Sequence, residues 1–114
     1  MRPTRILMML PLLVALGCAG GRSMERGIKA YNEGNYAFAE ETFNWVETDK
    51  VPLTPKSMVR YMVFRGLTAF RLGKTQEAKT FLASARTKYE GGDARWLSAD
   101  VVKEMDSTLD KLGQ

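Results

Sequence analysis

Residues 26–46 read RGIKAYNEGNYAFAEETFNWV, and residues 65–85 read RGLTAFRLGKTQEAKTFLASA. At an offset of 39 the two stretches pair Arg26 with Arg65, Gly27 with Gly66, Ala30 with Ala69, Gly34 with Gly73 and Ala39 with Ala78. Conservative pairs fill the positions between: Ile28 with Leu67, Tyr31 with Phe70, Phe43 with Leu82, Val46 with Ala85. Small residues fall where two helices approach closely, a glycine falls at the turn between them, and bulky apolar residues recur at helical spacing. The pattern describes one helix–turn–helix unit built twice. A single pair cannot bury its apolar face, whereas a second pair stacked on it can.

Pro52 and Pro55 stop one helix and start the next, with Thr54 placed to cap the latter. Carrying the offset forward lays Leu97 over Met58, Val101 over Met62, Met105 over Gly66 and Leu109 over Phe70. With Met105 in place of a glycine, no further helix is expected to pack there. Leu97, Val101, Met105, Leu109 and Leu112 form one apolar stripe on an otherwise charged helix, as a solvated terminal cap requires. Gly91-Gly92-Asp93 supplies the break before it and an N-cap. The fold predicted is all-α: helix pairs over about 24–50 and 55–89, then a capping helix over about 94–112.

The repeat resembles the tetratricopeptide repeat. Its small position in the first helix is matched by Gly27 and Gly66, its turn glycine by Gly34 and Gly73, and its small position in the second helix by Ala39 and Ala78. Its large residue four further on is matched by Phe43 and Leu82, and its closing position by Val46 and Ala85. The chain departs from the pattern at the aromatic early in the first helix, where it has Ser23 and Met62. Its period is also longer, the extra residues lying in Asp49–Ser57.

The resemblance implies an α-solenoid whose inner face, made by the first helix of each pair, receives peptide segments of a partner. On this register the partner groove comprises Ile28, Tyr31 and Asn32, then Arg60, Val63, Leu67 and Arg71, with Val102 and Asp106 from the cap. The helix over 58–71 carries two apolar stripes. Met58, Met62, Gly66 and Ala69 suit a core, whereas Val59, Val63, Leu67 and Phe70 exceed what one buried face needs. A strip of this kind flanked by arginines suits a segment with apolar and acidic residues. The competing reading packs the second stripe on Phe38, Trp45 or the cap.

The first residues read as an export signal. Arg2 and Arg5 precede an eleven-residue apolar run, Ile6–Leu16, well short of the ~20 residues a membrane-crossing helix needs. Ala15-Leu16-Gly17-Cys18 resembles the lipobox of bacterial lipoproteins. That resemblance implies cleavage after residue 17, acylation of Cys18 (diacylglyceryl and N-acyl, commonly palmitate) and, with Ala19 following, sorting to the outer membrane. A plain secretory signal cut near the same point is the alternative. Residues 18–23, small and glycine-rich, are expected to form a flexible tether, with the domain over 24–114.

Removing the signal leaves 15 basic and 13 acidic residues. Their order is informative: Glu25–Asp49 is acidic, Lys50–Lys88 holds nine bases and one acid, and Glu90–Lys111 is acidic again. The basic band invites an acidic partner or anionic lipid. Nucleic acid is not expected, since export separates the two and the band lacks a stacking platform.

No histidine occurs in the chain, and its one cysteine is the acylation candidate. Gly73-Lys74-Thr75 imitates the end of a phosphate loop, but Thr68 stands where the first glycine is required. Glu40-Glu41 and Asp106 with Asp110 suit solvated helix faces. The expectation is a non-enzymatic envelope adaptor, pilotin-like or barrel-assembly-like, with no cofactor, metal or small-molecule substrate. A structural accessory that self-associates or binds the membrane surface is the alternative.

Overall fold

The computed structural model describes residues 19–48, 53–90 and 96–113. The signal sequence and Cys18 lie outside them. The described chain is all-α: α1 (Ala19–Asn32), α2 (Tyr36–Thr48), α3 (Pro55–Arg71), α4 (Thr75–Glu90) and α5 (Ala99–Lys111). Packing is most extensive within the pairs α1–α2 and α3–α4; α3 also meets α1, α2 and α5.

The two pairs are built alike at their closest approach. A Cβ on Gly27 would stand 2.6 Å from Cε1 of Phe43, and one on Gly66 2.6 Å from Cγ of Leu82. Each glycine therefore lets one bulky residue of the second helix sit on the first helix's backbone. Each turn closes on a left-handed glycine, Gly34 at φ 83° and Gly73 at φ 79°. The turn bonds repeat too: Asn35 N–H donates to the Ala30 carbonyl and Lys74 N–H to that of Ala69.

Thr54 caps α3 as its sequence predicts, its hydroxyl oxygen accepting from Ser57 N–H at 3.1 Å, with Pro55 in the first turn. The other boundaries differ. α1 starts at Ala19, so the expected flexible tether over 19–23 is helical. Burial of Met24, Ile28 and Tyr31 fixes the helix, and extending it backwards then gains one bond per residue. The cap of α5 is Ser98, which accepts from Val101 N–H. The expected capping residue, Asp93, lies outside the described residues.

The register at the cap also shifts. Leu72 and Gly73 end α3, and Leu112 and Gly113 end α5 with matching bonds. Buried Thr68 and Thr108 each donate to the carbonyl four residues back. These pairs are 40 apart, so Asp106, not Met105, occupies the place of Gly66. Met105 instead turns fully inward.

α3 is the central helix, with every residue from Tyr61 to Leu67, and on to Ala69, buried. Phe43, Leu67, Leu82, Met105, Val59 and Val63 are the largest fully buried apolar side chains.

Candidate interaction surface

The expected groove is the inner side of α1, α3 and α5, and the structure fills it from within. Ile28, Tyr31, Val63 and Leu67 belong to the core, Val63 with no exposure and Leu67 with 1%. α3 needs two apolar stripes because it is covered on both sides. The free apolar strip is therefore absent, and Phe38 and Trp45, candidates to cover it, are exposed.

The polar members remain at the surface. Asn32 ends α1 and is exposed. Arg60 pairs with Glu25 of α1 at 2.9 Å. Arg71 reaches Glu104 of α5 at 3.6 Å and lies over the Tyr36 ring, 5.7 Å from its centre. The Tyr31 hydroxyl donates to the same Glu104 carboxylate, so one acid of the cap joins α1 and α3. Val102 and Asp106 are half-buried, Asp106 paired with Arg86 of α4.

A second network was not foreseen. Arg65 is buried between the rings of Phe81 and Tyr61, 5.1 and 5.9 Å from their centres. Its guanidinium meets Glu47 of α2 at 3.1 Å and Glu77 of α4 at 3.2 Å, and donates to the Tyr61 hydroxyl. Its repeat partner Arg26 is exposed; identical letters at 26 and 65 conceal different surroundings, because only Arg65 lies in the middle of the stack. Lys74 pairs with Glu40. Five bases of the band, Arg60, Arg65, Arg71, Lys74 and Arg86, thus find counter-charges in the acidic segments on either side of it.

Burial, then the hydrogen bond to Glu104, pushes the Tyr31 hydroxyl well above its ordinary pKa of 10.0; burial and Glu47 do the same to Tyr61. A pKa raised in the folded state stabilises the fold below the unfolded value and loses that contribution as pH rises beyond it. Stability should therefore fall above about pH 10. Tyr31→Phe should flatten that decline in a denaturation series; an unchanged slope would count against the buried network.

Between α4 and α5 lie two open recesses of about 480 and 680 Å³ sharing Asp106 and Asp110. Among the described residues no cluster of His, Cys, Asp or Glu could hold a metal ion. No described helix is long and apolar enough to cross a membrane.

The chain matches no family model, no curated protein and no solved structure. Its surfaces must speak for themselves. The inner rim offers a polar row from Asn32 through Arg71 and Glu104 rather than an apolar channel. The outer side of α2 offers the exposed aromatics.

Proposed function

We propose that the protein is a non-catalytic interaction adaptor of the bacterial cell envelope. In this reading it is a tetratricopeptide-like lipoprotein, anchored through Cys18 in the outer membrane and facing the periplasm, that assists assembly of an envelope complex. The observation that carries the reading is the repeated close approach, Gly27 on Phe43 and Gly66 on Leu82, each followed by a left-handed glycine turn. Stacked units of this construction are scaffolds that present a surface. The lipobox-like Ala15–Cys18 supports the anchor.

The partner is a protein segment bound along the rim at Asn32 and Arg71. There a carboxylate on the segment competes with Glu104 for the Arg71 guanidinium. A photo-crosslinking residue at Asn32, with one at exposed Ser84 of α4 as control, tests this in living cells. A distinct protein adduct at 32 and none at 84 is expected. Identical adduct patterns at the two positions would overturn the rim as a binding site.

A further inference from the structure

Phe38 and Trp45 are the exposed large apolar residues of the described chain, 46% and 52% accessible. They lie on one stripe of α2, seven residues apart. Glu40 and Glu47, each two residues later, pair with Lys74, just before α4, and with Arg65 of α3. Two residues are about 200° of helix. Both aromatics therefore face away from α3 and α4, out of the stack.

α1 exposes its own contribution on that end. Met24, Ile28 and Tyr31 form its buried stripe, and Tyr31 meets Phe64 of α3 edge-on, 5.8 Å between ring centres. Arg26 comes two residues after Met24 and two before Ile28, hence on the opposite side of the helix. Lys29 is its neighbour one turn on. Both are exposed, and neither has a carboxylate partner among the described residues, a condition they share with Lys56, Lys79, Lys88, Lys103 and Lys111.

We infer that this end of the stack, with Trp45, Phe38, Arg26 and Lys29, lies against the phospholipid surface. Two observations favour lipid as the occupant. Aromatic side chains beside unpaired cations suit the headgroup boundary, where rings and basic groups both find partners. The chain also arrives there: Gly27 meets Phe43, so antiparallel α2 brings Trp45 level with Glu25, about 9 Å along the axis from the helix start at Ala19. Cys18 is the next residue back, which is the sense in which the inference rests on the anchored reading. Of the exposed acids here, Glu25 and Glu47 are paired with Arg60 and Arg65, whereas Glu41, three residues after Phe38 and four before Trp45, shares the aromatic stripe. The opposite end, α5, exposes Lys103, Ser107 and Asp110 instead.

Full-length protein is isolated from membranes and reconstituted into vesicles of zwitterionic and anionic phospholipid with brominated acyl chains. Trp96→Phe leaves Trp45 as the sole tryptophan, and Trp45→Phe leaves Trp96. Trp45 emission should shift to the blue and lose most of its intensity, and Trp96 emission should change little. Circular dichroism establishes that both variants are folded. Intact mass reports acylation of Cys18 on the same samples. An acylated protein whose Trp45 stays in water and is quenched by iodide overturns the docking and leaves the anchor standing. An unacylated protein whose Trp45 is quenched by bromolipid overturns the anchor and supports the docking. A Trp45 shift in native envelopes but not in pure lipid overturns the lipid in favour of a protein occupant. In a Cys18→Ser background, Phe38→Ser with Trp45→Ser should lower vesicle partition by about tenfold or more; an unchanged partition would overturn the docking.

Discussion

Leu67→Ala should lower the unfolding free energy by about 3 kcal/mol, within the ~2–5 kcal/mol typical of a large-to-small change in a closed core. Leu67 is 1% exposed in the most enclosed helix of the fold, among fully buried Val63, Leu82 and Met105. Removing its three outer carbons forfeits their transfer free energy and leaves a void that four surrounding helices cannot easily close. Urea denaturation of wild type and variant measures it, with Asn32→Ala as a surface comparison expected within ~0.5 kcal/mol. The result also separates two views of the residue. A leucine waiting in an open groove would be lost at almost no cost to stability, so a variant as stable as wild type would return Leu67 to the surface.

Gly66→Val should be comparably damaging for the opposite reason. The Cβ alone would lie 2.6 and 2.7 Å from Cγ and Cδ2 of Leu82 and 3.2 Å from that residue's backbone nitrogen. The Leu82 side chain, with no exposure, has no space to rotate into, and the backbone atom moves only if α4 does. Overpacking costs about 1–3 kcal/mol. Valine's better helix propensity returns only a few tenths, and its two further methyls press on the same contact. A net loss of about 2 kcal/mol or more is expected. Leu82→Ala in the same chain should recover part of it, giving a double-mutant coupling of about 1 kcal/mol or more. Strictly additive losses would mean that α3 and α4 do not meet at this glycine. Gly73 makes a useful contrast. Nothing lies within 4 Å of its missing Cβ, but φ is 79°, so alanine there costs about 1–2 kcal/mol through the backbone alone.

Helix existence, the pairing and its glycines were legible because small residues and turns leave local marks: Gly27, Gly34, Gly66 and Gly73 behave as their spacing says, and Thr54-Pro55 starts α3. What was not legible was which apolar stripe would be covered. Two stripes on α3 describe a helix with one open face and a helix enclosed on both sides equally well. The difference is set by α1 and α5, which arrive from distant sequence. Arg65 and Arg26 make the same point, since position in the stack and not the local motif decides that one is buried and the other free. The register of the cap slipped by one because Met105 and Asp106 are neighbours, and only the turn at Leu112-Gly113 tells which of them replaces the glycine.

The acid–base–acid order of the chain has a consequence for how the layers find their places. Arg65 and Lys74 take their counter-ions partly from α2, through Glu47 and Glu40, while Arg71 and Arg86 take theirs from α5, through Glu104 and Asp106. The two acidic helices repel each other and are each drawn to the middle, within the ~8 Å over which charge is felt at physiological ionic strength. Charge thus works as an address on the segments: it disfavours any misassembly that stacks acidic α2 on acidic α5. Raising the salt should blur that address during refolding, even where the finished fold, held by its apolar centre, is little changed.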